Sequence, residues 1–196
     1  MLKLNMGCGH NRRPGFVNVD ASPACNPDVV ADLEAFPWPW PDNSADTIVF
    51  NHSLEHMGAD AKVFLALMTE LYRVAAPDCE LVINVPHPRH DDFINDPTHV
   101  RAITPALMSL FDRELNDGWK TAGAANTPLS HYTGVDLQQT NLTMRLAPKY
   151  KAKLDAGEVT AAELMDLIDE RLNVCAEFRM QYRVRKPAGS RLTPEA

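Results

Sequence analysis

Long apolar runs are missing from this chain. No stretch approaches the roughly 20 residues that a bilayer-crossing helix needs, so no membrane function is expected. The start carries no basic segment leading into an apolar one, so no secretory leader is expected either. Cysteine is scarce: Cys8, Cys25, Cys79 and Cys175 are widely scattered, with no Cys-x-x-Cys pair and no zinc-binding spacing. That excludes a disulfide framework and leads to the expectation of reduced thiols and a cytoplasmic location. Positive charge is in the minority, 19 Lys and Arg against 26 Asp and Glu for a net −7. This argues against a nucleic-acid partner, which demands a basic face. The small basic clusters at Arg12-Arg13, Lys149 to Lys153 and Arg183 to Lys186 read as solvated surface. What remains is ordinary for a soluble globular chain, with 196 residues, long enough to bury one core. A single domain over 1–186 is expected, followed by a loose tail over 187–196.

The first nine residues are the most informative. Leu2 to Met6 alternates as a strand and runs straight into Gly7-Cys8-Gly9, and the next strand, Phe16 to Asp20, ends in a carboxylate. A strand, a Gly-x-Gly turn and a second strand closing on an acid form the front half of a nucleotide-binding unit. The glycines let backbone N–H groups approach a ligand closely. Asp20 can accept hydrogen bonds from both ribose hydroxyls. His10 to Gly15 and Ala21 to Asn26 are too short and broken for helices, so the first two crossover helices are expected to be shortened or missing.

Asp28 to Leu33, Thr47 to Phe50 and Leu81 to Val85 read as further strands, the middle one almost wholly apolar, as in a buried parallel sheet. The run Pro37-Trp38-Pro39-Trp40-Pro41 cannot be regular structure; its tryptophans either cover a core edge or flank a base. The spacing of Phe64, Leu67, Met68, Leu71 and Ala75 predicts a helix over Asp60 to Ala75, stopped by Pro77. Thr104-Pro105 opens a predicted helix with Leu107, Phe111 and Leu115 on one face. Asp117 to Asp136 reads as loop. Leu142, Met144 and Leu146 alternate as a strand. Thr160-x-x-Glu163 is a capping box for a helix with Leu164, Ile168 and Leu172 in line. Val174 to Arg185 alternates strictly, as a long antiparallel strand with one wet face.

In this order and spacing, Gly7-Cys8-Gly9, Asp20, Ala31-Asp32-Leu33, Pro41 to Ile48 and Ser53-Leu54-Glu55-His56 resemble the class I S-adenosylmethionine-dependent methyltransferases, nearest their small bacterial type 11 group. The resemblance covers about residues 2 to 112. It implies a compact doubly wound α/β sheet of the Rossmann-like kind, mostly parallel with an antiparallel final strand. It implies S-adenosylmethionine as cofactor. Gly7 and Gly9 would let the backbone approach its methionine part, and Asp20 would bind the ribose. Asp32 and Leu33 would sit beside adenine, and Asn51 and His52 would face the sulfonium end. The chain departs from the pattern at Asn5, where the family often has an acid, and at Asn11, where a third glycine is common. Asn5 can still hydrogen-bond the cofactor.

The loop from Pro86 to Ile103 holds three histidines and three aspartates. It lies at the carboxyl edge of the sheet, where such folds bind ligands. Methyl transfer to a hydroxyl or amine needs a deprotonated acceptor, and histidine takes a proton near neutral pH. His99 and His90 are the candidate bases, with Asp96 as orienter. Arg101 suits an anionic substrate group, and Glu55 is placed on the substrate side, although a carboxylate at a helix start also serves the helix dipole. Two other readings of the loop stand beside this one. It is tied together by its own histidine–carboxylate hydrogen bonds, or it holds a metal through His87, His90 or His99 with Asp91, for which no known spacing speaks. No metal is included in the expected site.

The expected function is methyl transfer to the oxygen or nitrogen of a small-molecule acceptor. The alternative is a non-catalytic nucleotide-binding module on the same fold. A nucleic-acid methyltransferase is disfavoured by charge and by Asn51-His52-Ser53-Leu54, where an Asn-Pro-Pro-aromatic tetrapeptide would be needed. Leu2, Leu4 and Met6 alternate with Lys3 and Asn5, so one side of the sheet is expected to be under-covered, with a homodimer as the expected partner arrangement.

Overall fold

The computed structural model describes residues 1–186, and the tail expected over 187–196 lies outside the described residues. Seven strands form one sheet: β1 (Leu2–Met6), β2 (Val17–Asp20), β3 (Val29–Val30), β4 (Ala45–Asn51), β5 (Ala75–Pro86), β6 (Leu137–Leu146) and β7 (Cys175–Val184), in the order β3-β2-β1-β4-β5-β7-β6. All neighbours from β3 to β5 are parallel, and β7 runs antiparallel to both β5 and β6. This is the mostly parallel, Rossmann-like sheet with a reversed final strand that the sequence predicts. From β1 the chain steps outward to β2 and β3, then returns to place β4 on the other side of β1. The strand order therefore reverses between β1 and β4, and that is where such sheets bind ligands.

Right-handed crossovers toward β3 fall on one face of the sheet, and the crossover from β4 to β5 falls on the other. Here the outward crossovers carry only a single 3-10 turn, Pro23–Cys25, so among the described residues their face has no helix over β1 to β3. The rows across the sheet reflect this. Leu4, Ile48, Leu81 and Tyr182 are aligned, as are Met6, Phe50, Ile83 and Met180, and all of these are buried on the helix-covered side. The opposite rows read Lys3, Thr47, Glu80 and Arg183, then Asn5, Val49, Val82 and Gln181.

The covering helix α1 (Ala61–Val74) is capped by the Asp60 side chain, which accepts from the Lys62 N–H, and buries Phe64, Leu67, Met68, Leu71 and Val74. It passes directly into β5 at Ala75, so Pro77, expected as a helix stop, lies inside a strand longer than predicted. Four short helices follow: α2 (Asp91–Ile94), α3 (Pro105–Ser109), α4 (Arg113–Ala122) and α5 (Leu129–Thr133). The single helix predicted from Thr104 is thus two. Asp112 accepts from the N–H groups of Glu114 and Leu115 and opens a new helix, which leaves Phe111 buried and Leu115 exposed. The region read as loop over 117–136 contains the rest of α4 and all of α5. α6 (Pro148–Asp155) was not legible, because it buries no residue fully and has no side-chain cap. α7 (Ala161–Glu170) carries the predicted capping box and packs Leu164 and Ile168 on Val174 and Cys175, while Leu172 lies past its end and is exposed.

Trp38 covers a core edge. Its N–H donates to Glu70 Oε1 at 2.5 Å and its indole N–H to the Leu33 carbonyl at 3.1 Å. Arg73 binds both oxygens of Glu70, at 2.8 and 2.6 Å, and reaches Asp42 at 2.6 Å. One carboxylate therefore fastens the proline-rich segment to α1. Glu70→Ala strands Arg73 and the Trp38 N–H, and is expected to cost about 2–4 kcal/mol, or on the order of 5–15 °C in Tm. The Arg73 hydrogen bonds hold the Glu70 carboxyl below its ordinary value of 4.5. Its contribution is present above that value and lost as pH falls through the depressed one, so the variant should lose less stability than wild type on acidification. Thermal melts of both proteins from pH 7 to pH 3 check this; parallel curves contradict it.

Candidate functional site

β1 turns at Gly7 (φ +65°) and Gly9 (φ +50°), both left-handed. The two glycines face different constraints. A Cβ on Gly7 would stand 2.5 Å from the Ser53 Cβ, so the turn after β4 leaves no room there. A Cβ on Gly9 would meet nothing within 4 Å, so that side is open to a ligand. Ser53 Oγ donates to the Met6 carbonyl at 2.8 Å and binds the two turns together. Asp20, at the end of β2, accepts from the Gly9 N–H at 2.8 Å on one oxygen and from the Ser22 N–H at 2.9 Å on the other. Each oxygen keeps a further lone pair. Around these groups lies a cleft of about 270 Å³, completed by Ala21, Leu33, His52, His56 and Met57. A larger hollow of about 440 Å³ beside Arg12, Arg13, Phe16, Asn18 and Asp28 lies away from the strand-order reversal. Its polar groups are already paired among themselves: Asp28 accepts from the Asn18 backbone and side chain, both at 2.8 Å, and binds Arg12.

Of the residues expected around the cofactor, Gly7, Gly9, Asp20, Leu33 and His52 meet in the small cleft, while Asn5, Asp32 and Asn51 do not line it. Asn5 is buried and donates to Asn18 Oδ1 at 2.9 Å and to the Asn11 carbonyl at 3.1 Å, holding the β1–β2 connection. Asp32 is exposed and accepts from the Glu34 N–H at 2.8 Å. Asn51 accepts from Asn84 across β4 and β5 at 2.9 Å.

The histidine-rich loop is divided. His90 caps α2, its Nδ1 accepting from the Asp92 N–H at 3.1 Å, and His87 Nδ1 accepts from the Arg89 N–H at 3.1 Å. Arg101 lies on the Phe64 ring, 4.4 Å from its centre, and donates through Nε and Nη2 to the Gly58 carbonyl. Asp96 accepts from the Thr98 N–H at 2.8 Å and hydroxyl at 2.6 Å; its other oxygen is 3.7 Å from His99 Nε2, beyond hydrogen-bond distance. His99 stacks on Phe93 and meets His56 edge-on, with centroids 4.6 Å apart. The Val100 and Arg101 N–H groups both donate to the Glu55 carbonyl, at 2.9 and 3.1 Å, and bring this segment against the Leu54–His56 turn.

Sequence reasoning missed Glu177. It stands on the polar side of β7, opposite Pro86 at the end of β5, because an antiparallel strand begins where parallel strands end. Its Oε2 is 2.7 Å from His52 Nε2, and its other oxygen binds Arg179. Burial alone would raise its pKa, but Arg179 and His52 hold it below the ordinary carboxylate value. Glu55, on the other side of His52, has the opposite balance. Its Oε1 is 3.7 Å from His52 Nδ1, neither oxygen accepts a hydrogen bond, and burial with Asp96 and Glu177 nearby pushes its pKa up to about 7. His52 itself is held in a left-handed conformation (φ +52°) with its side chain 42% exposed.

Residues 4–83 match the family model described as a methyltransferase domain. Among curated proteins, none matches the sequence. The fold is shared with a SAM-dependent methyltransferase from Archaeoglobus fulgidus, at a TM-score of 0.62 and 18% identity over 93% of this chain and 86% of that one. It is also shared with an S-adenosylmethionine-dependent methyltransferase assigned in Listeria monocytogenes, at a TM-score of 0.52 and 11% identity over 94% and 91%. A third structure is the 1,6-didemethyltoxoflavin-N1-methyltransferase of Burkholderia thailandensis with S-adenosylhomocysteine bound, at a TM-score of 0.50 and 12% identity over 94% and 71%.

The two glycines separate in a stability measurement. Gly7→Ala adds a steric clash to an unfavourable φ and is expected to cost about 2–4 kcal/mol; Gly9→Ala bears only the φ term, about 1 kcal/mol. Urea unfolding of both variants tests this, and equal losses contradict the packing described at Ser53.

Proposed function

We propose that this chain, whose residues 4–83 match the model of a methyltransferase domain, is a class I, S-adenosylmethionine-dependent methyltransferase and methylates an oxygen or nitrogen of a small-molecule acceptor. The observation that carries the reading is the convergence of Gly7, Gly9, Asp20, Leu33 and His52 on one cleft at the carboxyl ends of β1, β2 and β4. S-adenosylmethionine supplies an electrophilic methyl group on a sulfonium. The residues present fit it: Gly9 presents backbone with no side chain in the way, and Asp20 is held by two N–H groups with acceptor capacity to spare. In this reading Gly7 and Gly9 admit the methionine part, Asp20 accepts from the ribose hydroxyls, and Leu33 packs against adenine.

The chain's task in the reaction is alignment, exclusion of water and removal of one proton. His52 is the base we favour, in place of His99 and His90, because it lines the cleft. Glu177 is ionised and only accepts, so the His52 proton resides on Nε2 and Nδ1 is the atom that takes the acceptor's proton. Glu177 orients the ring. The net charge of −7 supports a small acceptor over a nucleic acid.

Titration calorimetry with S-adenosylhomocysteine tests the reading. Wild type is expected to bind, and Asp20→Ala to bind about ten- to a hundredfold more weakly, the loss of a charged hydrogen-bond partner. Binding of NADH or ATP in its place, or an unchanged Kd in the variant, contradicts it.

A further inference from the structure

We propose that Glu55, His56 and His99 form a binding site for a divalent transition-metal ion of the zinc or iron(II) type, at the edge of the cofactor cleft. One carboxylate oxygen of Glu55 and one ring nitrogen from each histidine all lie within 4.8 Å of one another. Two imidazoles and a carboxylate are the donor set of open, three-ligand sites for such ions. Bond lengths near 2 Å would draw the ligand atoms to about 3.3 Å apart, a closure of an ångström or so that side-chain rotation supplies.

Three independent features point to a ligand here. The first is Glu55: the residue is fully buried, yet among the described residues neither carboxylate oxygen finds a hydrogen-bond donor. A buried carboxylate left without partners is costly, and a bound cation removes that cost. The second is the orientation of the histidines. His99 Nδ1 is 3.0 Å from the Phe93 carbonyl, which can only accept, so its proton sits on Nδ1 and Nε2 carries the lone pair. That Nε2 is 4.0 Å from Glu55 Oε1. His56 Nδ1 is 2.9 Å from the Thr98 hydroxyl, whose own proton is given to Asp96 at 2.6 Å. The hydroxyl therefore accepts from His56, and the His56 lone pair is on Nε2 as well. A ring N–H anchored on a carbonyl or hydroxyl, with the other nitrogen left bare, is the support that metal-binding histidines have. The third is anchoring. The segment bearing His99 is tied by two N–H groups to the Glu55 carbonyl, so ligands 44 positions apart in the chain are held as a unit.

The ligand set expected from the loop alone, His87, His90 or His99 with Asp91, differs from this one. His87 and His90 are used in turns, and the partners of His99 are Glu55 and His56 instead. His56 also lines the cofactor cleft, so the ion's remaining positions border it. Resting on the methyl-transfer reading, this favours an acceptor with a coordinating oxygen.

The test uses the full chain after treatment with a chelator. Zinc chloride is titrated calorimetrically, and cobalt(II) chloride is added with visible absorption as the readout. One ion per chain is expected, with a visible cobalt spectrum and no binding of magnesium, which prefers oxygen ligands. His99→Ala, Glu55→Gln and His56→Ala are each expected to weaken zinc binding about a hundredfold. His56 is exposed, so its replacement keeps the test sound if the buried changes impair folding. His131→Ala, a surface histidine paired with Asp117, should bind as wild type does. No zinc binding, or binding undiminished in the three variants, overturns the proposal. S-adenosylhomocysteine is titrated into the same samples. Cofactor binding without zinc binding defeats the metal site alone, and zinc binding without cofactor binding defeats the methyl-transfer reading alone.

Discussion

The close approach of two turns, at Gly7 after β1 and at Ser53 after β4, is the constraint on which the rest of the site depends. The Ser53 hydroxyl on the Met6 carbonyl and the missing side chain at Gly7 bring the turns into contact at the reversal of strand order. From the first turn, the Gly9 N–H reaches Asp20 and sets the β2 end of the cleft. From the second, the chain passes through His52 and the Leu54–His56 turn, whose Glu55 carbonyl collects Val100 and Arg101. A side chain at position 7 would separate the two turns and, with them, both halves of the site.

The fold tolerates unusual economy around this point. The crossovers from β1 to β3 have almost no helix, and the rows on their face read Lys3, Thr47, Glu80 and Arg183, then Asn5, Val49, Val82 and Gln181, of which Asn5 and Val49 are buried. The polar side chains in these rows lower the apolar area that the face presents. The covered face carries the core, with α1 and the segment around Trp38 packed on it.

Those parts of the site that depend on local chain geometry were legible in the sequence. A strand, a Gly-x-Gly turn and an acid eleven residues beyond Gly9 announce a ligand cleft, because each feature is required within a short span. The shortened crossovers were legible from the number of residues available. Asn5 and Asp32 fit the pattern by position and turn elsewhere, because buried Asn18 and the Glu34 N–H compete for them and both are local. Glu177 was not legible: its partner His52 is 125 positions away, and only the antiparallel return of β7 brings them together. The division of the histidine-rich loop has the same origin. Which histidines cap turns and which face Glu55 is decided by the pairing of that loop with a turn more than 40 positions earlier. The break at Asp112 had a local signal, an aspartate able to cap a new helix, hidden inside an otherwise continuous apolar spacing.

A crystal structure with S-adenosylhomocysteine bound tests the central claim most directly, that the cleft beside the joined turns is the cofactor site. The account predicts ribose hydroxyls within about 3 Å of Asp20, adenine against Leu33 and the sulfur near His52. A ligand seated in the hollow beside Arg12 and Asp28, or one that leaves Asp20 untouched, would contradict it.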